Sequence, residues 1–250
     1  EGKVSIGDSA TVLQIEPNGE LARTPGRISS ISIAPYPLEN LGLLAFKLSI
    51  PLQQRDGSYT LPAVRDDRLV GLLMRYDARN QTADIIPMPV ISRFLDSVKF
   101  PRLGVSYSPL RDPQLRRYIG LKEPSGIYVT KISPKSSAAS AGLREGDVIL
   151  AVNGLPLDQD GNYEDADYGR ILFSHISSTL TPPGGKVVLK ILRDAKIEEI
   201  TVKMEPMDRS GTISPSFIAD AAPPYFILGG MVFVELSRPY LQEWGVDWTK

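Results

Sequence analysis

Glycine and proline interrupt this sequence so often that it favours short strands over long helices. The 250 residues include 21 glycines and 21 prolines. Proline thus makes up about 8% of the chain, above the share of about 5% that is usual in proteins. Turn sequences such as Pro17-Asn18-Gly19 separate early segments rich in β-branched and aliphatic residues, at 9–15, 26–33, 43–50 and 69–76. Strands at this spacing predict a small barrel or sandwich.

The polar composition excludes several kinds of chemistry. The chain has no cysteine and one histidine, which excludes a thiol nucleophile, a disulfide and a cysteine or multi-histidine metal site. With 28 Lys and Arg against 29 Asp and Glu, the formal net charge is −1, which argues against nucleic acid and anionic membranes as partners. No stretch approaches the roughly 18 apolar residues that a membrane span needs. We therefore expect no cofactor, no metal site and no membrane span.

A change of rhythm near residue 99 predicts a domain boundary. A helix begins at Pro89, where the missing N–H of proline costs little, and ends before Pro101. Beyond it, strands are predicted at 103–107, 126–132, 147–152, 186–192 and 197–204, with short helices after Asp112 and at 136–141. A longer helix is predicted from about 164 to 178. The predicted domains are therefore 1–98, 99–205 and 206–250, and the last begins with a linker at 206–224 and ends with a short helix at 239–244.

Three central segments resemble a PDZ domain of the type found in HtrA/Deg serine proteases. They are 126–129, 136–149 and 152–154. The small residues at 136–141 allow a helix to pack closely under a sheet, and Gly142 and Gly146 permit turns that side chains would hinder. Such domains bind a peptide by adding it to a strand edge, with its C-terminal carboxylate on backbone N–H groups before that strand.

The resemblance assigns a peptide-binding site to this chain. The loop before the docking strand would hold the carboxylate, alternate residues of the strand would line pockets, and the helix predicted at 164–178 would form the other wall. Two of the predicted residues are four apart on that helix and so share a face. The predicted peptide-binding residues are Arg102, Leu103, Gly104, Val105, Tyr107, Ile171 and His175.

The first part of the chain resembles the second barrel of the trypsin-like domain that precedes PDZ domains in the same family. The matching segments are 6–12, 24–31 and 86–91. The predicted fold is therefore mainly β with short helices: a partial trypsin-like β-barrel followed by a PDZ domain. The family's nucleophile motif, Gly-Asn-Ser-Gly-Gly-Pro, aligns with residues 57–62, where Tyr59 occupies the nucleophile position and Thr60 and Leu61 replace the paired glycines.

These replacements predict that the chain is not an enzyme. Acyl transfer needs an activated serine and N–H groups aimed at the oxyanion, and Tyr59 with two side-chained neighbours offers neither. Ser58 lies one position away, and His175 follows the motif, whereas the histidine of a trypsin-like triad precedes it. We therefore predict no catalytic residues and a pseudoprotease that binds polypeptides. The alternative is a fragment of an active HtrA/Deg-like serine endopeptidase of protein quality control, with the rest of its catalytic domain missing from this chain.

Two further segments have patterns of their own. Residues 229–241 resemble the opening of a second PDZ-like domain. The acidic run 158–167 carries five carboxylates, but Tyr163 and Gly169 stand where a calcium loop needs glycine and glutamate, so helix capping explains it better. The expected partners are polypeptide C-termini or unfolded segments, together with a second copy of the chain or a related active protease. The lack of cysteine fits an exported, periplasmic protein.

Overall fold

The computed structural model describes residues 4–36, 41–53, 60–97, 99–206, 224–237 and 240–241. They belong to two compact units. The first contains residues 1–34 and 42–207, and the second contains residues 35–41 and 208–250.

Six strands of the first unit close into a barrel. Their order around it is β1-β2-β3-β6-β5-β4. Buried and more exposed residues alternate along β1, where Val12 is buried, because one face of each strand lines the interior. The fully buried side chains of Leu48 and Leu73 add to this core. The strands are β1 (Ser9–Ile15), β2 (Leu21–Tyr36), β3 (Leu41–Ser49), β4 (Pro62–Arg65), β5 (Arg68–Asp77) and β6 (Thr82–Pro87).

A helix leads from the barrel into a second sheet. This helix, α1 (Met88–Ser97), begins as predicted beside Pro89. The elements that follow are β7 (Val105–Pro109), α2 (Pro113–Tyr118), β8 (Ile127–Ile132), α3 (Ser137–Ser140), β9 (Val148–Val152), β10 (Leu155–Pro156), β11 (Asn162–Asp165), β12 (Gly169–Leu172), the π-helical turn α4 (Ile176–Leu180), β13 (Lys186–Arg193) and β14 (Lys196–Lys203). The sheet order is β14-β13-β9-β8-β7, with β10 on β9, so β7 lies at an edge.

Most predicted elements are present, and their ends are fixed by local hydrogen bonds. The Asp112 side chain accepts from the Gln114 N–H and begins α2, and the Ser136 side chain accepts from the Ala139 N–H and begins α3. The mainly β architecture with short helices, a barrel followed by a PDZ-like sheet, is confirmed. The domain boundaries at 98 and 205 stay a prediction.

The helix predicted from 164 to 178 is wrong over most of its length. Residues 162–172 form the hairpin of β11 and β12, and only the last part is helical. The Asp165 carboxylate accepts from the backbone N–H groups of Asp167 and Tyr168, at 2.9 and 3.1 Å. This side chain holds the turn of the hairpin and competes with helical hydrogen bonding at the point where the helix was predicted to begin.

The second unit contains a hairpin in its described part. Its strands are β15 (Tyr225–Leu228) and β16 (Met231–Val234), joined at Gly229 and Gly230, where one continuous strand was predicted. Residues 207–223, most of the predicted linker, lie outside the described residues, as do 238–239 and 242–250 of the region with the predicted helix.

We expect the second sheet to depend on Ile149 at its centre. This side chain is fully buried, and its strand position pairs with both Ile127 and Ile191. Ile149→Ala should lower the free energy of unfolding by about 2–5 kcal/mol, because it leaves a cavity among close-packed strands. The control, Ile197→Ala, removes a side chain that is 61% exposed and should cost less than about 1 kcal/mol. Urea unfolding followed by circular dichroism measures both, and equal effects would contradict this packing.

Candidate functional site

The free edge of the second sheet is the main feature of the candidate site. On one side β7 pairs with β8, with Val105 opposite Ile132. On its other side, no described strand pairs with β7. Ser106 is exposed there, and Val105 and Tyr107 are half-buried. A strand edge of this kind presents backbone N–H and C=O groups that an extended chain can use.

The loop before β7 is anchored through its carbonyl groups. The Leu103 carbonyl accepts from the Ala138 N–H at 2.9 Å, and the Gly104 carbonyl accepts from the Ser133 N–H at 2.8 Å. The half-buried Arg102 donates its N–H to the Glu205 carbonyl. Within the described parts of the chain, the N–H groups of Leu103 and Gly104 have no hydrogen-bond acceptor. Successive amides in this state form a concavity that suits an anion such as a carboxylate.

Gly104 is required by the close packing of this loop on α3. Its φ is +81°, and a Cβ atom at this position would lie 2.2 Å from the Cβ of Ser136. Ser136 is the residue that caps α3. Any side chain at position 104 would therefore move the loop away from the start of α3.

The floor beside β7 is aromatic. The rings of Tyr107 and Phe173 meet edge to face, with centroids 5.5 Å apart. Burial raises the pKa of Tyr107 above its usual value. Phe173 is buried and lies just before the helical residues 174–180, so β7 and this helical stretch approach one another. Sequence reasoning missed Phe173, because it was assigned to the middle of a longer helix.

Two predicted contacts of the peptide, Ile171 and His175, do not lie on one helix face. Ile171 belongs to β12, opposite Tyr163, and is buried. His175 is also buried, and its side chain is 1% exposed. The role of His175 as a side chain that touches a ligand stays a prediction; in this structure its ring is enclosed by Tyr163 and Tyr168.

A buried hydrogen-bonded chain joins Asp165, Tyr163 and His175. The Tyr163 hydroxyl lies 2.8 Å from Asp165 Oδ2 and 2.7 Å from His175 Nδ1. Burial alone would raise the pKa of Asp165, but hydrogen bonds from Asp167, Tyr163 and Tyr168 hold it below its usual value. The carboxylate is therefore ionised and accepts a hydrogen bond from the Tyr163 hydroxyl. The Tyr163 oxygen in turn accepts from His175 Nδ1–H.

This proton order leaves Nε2 of His175 as an unprotonated acceptor in the interior. Nε2 has no hydrogen-bond partner among the described residues, and neither do the buried hydroxyl groups of Ser174 and Thr179. Burial lowers the pKa of His175, and the charge of Asp165 opposes this shift. Burial also raises the pKa of Tyr163, an effect that Asp165 strengthens.

The helical residues 174–180 also contact the barrel. The Ser178 hydroxyl lies 3.2 Å from the Gly42 carbonyl of β3, although its closer acceptor is the Ser174 carbonyl at 2.6 Å. From α1, the Arg93 guanidinium donates to the carbonyls of Thr179 and Leu180, each at 3.2 Å. The ring of Tyr168 lies 6.1 Å from that of Phe46 on β3. Residues 162–180, which we call the junction segment, thus lie between the barrel and the aromatic floor beside β7.

The acidic run is held by arginine side chains. Arg170 bonds Asp158 and Asp160, and Arg111 bonds Asp160. Asp158 also accepts from the backbone N–H groups of Asp160 and Asn162. Within the described ranges, no group of three or more His, Cys, Asp or Glu side chains could hold a metal ion. No helix in these ranges is long and apolar enough to cross a membrane.

The segment aligned with a protease nucleophile is described from Thr60 onward. Gly57, Ser58 and Tyr59 lie outside the described residues. Thr60 has a φ of +60° at a position where the family motif has glycine. Its N–H donates to the Leu73 carbonyl, and the Leu73 N–H donates to the Leu61 carbonyl. The two residues after Tyr59 are therefore paired with β5.

We expect Tyr163→Phe to destabilise the junction segment. It removes the hydroxyl that joins Asp165 to His175 and leaves Nδ1–H unpaired in the interior, which costs about 1–3 kcal/mol. Tyr118→Phe is the matched control, because Tyr118 is 88% exposed and its loss of a hydroxyl should change the free energy of unfolding by less than about 0.5 kcal/mol. Chemical denaturation measures the free energy of unfolding of both variants. A Tyr163→Phe variant as stable as the control would refute the buried hydrogen bonds between Asp165, Tyr163 and His175.

Comparison with known proteins agrees with this architecture. Family models described as "PDZ domain" match residues 101–204 and 214–250. Among solved structures, the HtrA-type protease AlgW with decapeptide superposes with a TM-score of 0.58 at 21% identity, covering 82% of this chain and 62% of that one.

Curated relatives extend the similarity beyond the PDZ domain. The mitochondrial Protease Do-like 4 of Arabidopsis thaliana is 29% identical over 247 residues, which is 95% of this chain and 46% of the relative. The periplasmic serine endoprotease DegP of Escherichia coli is 29% identical over 119 residues, 48% of this chain and 23% of the relative. The chain thus spans less than half the length of these two relatives. The chain thus contains PDZ domain sequences and is homologous to the HtrA/Deg proteases.

Proposed function

We propose that this chain is a non-catalytic peptide-binding module of the HtrA/Deg type. Its PDZ domain captures polypeptide C-termini or extended segments by strand addition to β7. One observation carries the proposal: the free edge of β7 begins at a loop in which the N–H groups of Leu103 and Gly104 donate to no described acceptor. An edge strand and an anion-binding loop together fit the two parts of a peptide C-terminus, its backbone and its carboxylate.

In the proposed complex, the peptide carboxylate accepts hydrogen bonds from the loop, and Arg102 adds positive charge beside it. The backbone of the preceding residues pairs with β7 along Val105 and Tyr107. Alternate peptide side chains then face the aromatic floor of Tyr107 and Phe173, because successive side chains of a strand point to opposite faces. The AlgW structure supports the proposal by analogy, because that protease has a similar fold and was solved with a decapeptide.

The carboxylate should be essential for binding at this loop. We expect peptides selected from a library with free C-termini to lose about tenfold or more in affinity when the same sequences are amidated. Hydrogen bonds to a charged group are worth about 1.5–3 kcal/mol, and about 1.4 kcal/mol corresponds to tenfold. Fluorescence anisotropy with labelled peptides measures this ratio. Equal affinity of the free and amidated peptides would show that the loop does not bind the C-terminal carboxylate.

A pair of glycine variants locates the binding site. Gly104 and Gly120 both have positive φ, +81° and +77°, but a Cβ at position 104 meets Ser136 whereas a Cβ at position 120 meets nothing within 4 Å. Gly104→Ala should therefore weaken the selected peptides by about tenfold or more, and Gly120→Ala should leave their affinity unchanged at a similar backbone cost. Circular dichroism confirms that both variants fold. Unchanged affinity in folded Gly104→Ala would place the binding site elsewhere.

The absence of catalysis is the second part of the proposal. Tyr59 at the nucleophile position provides no serine for acyl transfer, and Thr60 and Leu61 are paired with β5 through Leu73. The alternative, a fragment of an active serine endopeptidase of protein quality control, is favoured by the names of the relatives, which are proteases.

Labelling with a fluorophosphonate probe separates these two functions. The probe reacts with activated serines, so we expect no labelling of the folded chain above the level of the heat-denatured chain. A Ser58→Ala variant serves as the control for the one serine next to the nucleophile position. Stoichiometric labelling that is lost in Ser58→Ala would establish the endopeptidase and overturn the non-catalytic proposal.

The cellular setting stays a prediction. The names of the relatives include mitochondrial, chloroplastic and periplasmic proteases, and the exported location was inferred from the lack of cysteine. Association with a second copy or with a related active protease is likewise a prediction. Unfolded segments with exposed C-termini fit the proposed site, because strand addition uses the peptide backbone and tolerates many sequences.

A further inference from the structure

His175 is the single histidine of the chain, and the proposed peptide-binding function does not use it. Its ring is buried between Tyr163 and Tyr168, its Nδ1–H donates to Tyr163, and its Nε2 has no described partner. A second proton would add to Nε2 and place an N–H donor and a positive charge where no described acceptor meets them. The closed arrangement therefore accommodates the neutral ring and opposes the charged one.

The groups that face the His175 ring do not compensate for a positive charge and an unpaired N–H at Nε2. Asp165 is the charged group beside it, with Oδ2 at 3.7 Å from Nδ1. That carboxylate lies on the Nδ1 side and is already bonded to the Tyr163 hydroxyl. Tyr163 and Tyr168 are the other titratable side chains against the ring, and both are uncharged near neutral pH. Phe46 and Gly42 of the barrel contact the junction segment, and Arg93 of α1 donates to the carbonyls of Thr179 and Leu180.

We propose that protonation of His175 Nε2 by solvent opens the junction segment and releases its contacts with the barrel. The segment is suited to this role because few polar contacts hold it on the barrel side. They are the hydrogen bonds from Arg93 to the carbonyls of Thr179 and Leu180 and the 3.2 Å contact between Ser178 and Gly42. Once the junction segment is open, water solvates the imidazolium of His175 and the ring retains its proton. The junction segment is thus a pH-sensitive contact between the barrel and β7, which we call the latch.

The sign of the pH dependence follows from the two states. In the closed state the pKa of His175 lies below its ordinary value of 6.5, whereas in the open state the exposed ring regains that value. Below pH 6.5 the open state therefore binds a proton that the closed state refuses. Opening becomes easier as pH falls, by up to about tenfold for each pH unit, until the closed-state pKa is reached.

Hydrogen–deuterium exchange measures this opening directly. Between about pH 6 and pH 5, after correction for the intrinsic rate, exchange of amides in the junction segment should accelerate, by up to about tenfold. Amides of β13 and β14 should remain protected and provide the internal control. His175→Asn keeps a side-chain N–H for Tyr163 and cannot be protonated in this range, so its corrected exchange should change less than about twofold.

Three outcomes would overturn the latch. One is the same acceleration in His175→Asn, and another is protection of the junction segment that does not change with pH. If His175→Asn fails to fold, NMR of the single imidazole in the unmodified chain decides. Its protonation should coincide with the loss of protection, and protonation near pH 6.5 with protection intact would refute the latch.

The effect of the latch on peptide binding rests on the proposed function. If peptides bind between β7 and the junction segment, their affinity should fall with the same pH dependence in the unmodified chain and not in His175→Asn. The exchange and NMR measurements contain no peptide, so the latch can be confirmed even where the peptide proposal fails. Binding that stays constant with pH while the segment opens would place the peptide away from this wall.

Discussion

The hydrogen bond between Tyr163 and His175 determines the arrangement of the junction segment, which contacts both the barrel and β7. It connects the hairpin of β11 and β12 to the helical residues that follow, and it is continued by Asp165. Because these groups are buried and polar, they remain inside only while each donor has an acceptor. The bond therefore fixes residues 162–180 as one piece, with contacts to the barrel on one side and the Phe173 ring towards β7 on the other.

The sequence was most informative where structure depends on local patterns. The alternation along β1, the capping residues Asp112 and Ser136, and the hairpin of β13 and β14 were all predicted close to their observed positions. Each depends on neighbours within a few residues or on a two-residue period. The segment 162–172 could not be predicted in the same way. Its two strands depend on a turn held by Asp165 and on the packing of the Tyr168 ring against Phe46, which is distant in sequence. The turn residues Asp165 and Gly169 were the signal that could have indicated a hairpin.

The candidate site shows the same division between local and distant causes. A resemblance to PDZ domains was enough to select Leu103, Gly104 and Val105, and these residues do precede and begin the edge strand. It could not show that the carbonyls of Leu103 and Gly104 accept from Ala138 and Ser133, whereas the N–H groups of Leu103 and Gly104 donate to no described acceptor. That division of donors and acceptors results from packing on α3, and packing depends on residues about 30 positions away.

Burial of the single histidine determines what kind of pH control the proposed peptide site can have. A histidine at a groove surface would alter the charge that a ligand meets, and its effect would depend on the ligand sequence. A histidine buried inside the junction segment changes the fraction of molecules in which that segment is closed, and this effect is the same for every peptide. Strand addition gains affinity from backbone groups, and pockets for alternate side chains add specificity. Protonation of His175 would therefore regulate peptide binding through the junction segment. Such regulation does not require each peptide to carry a group that interacts with the histidine.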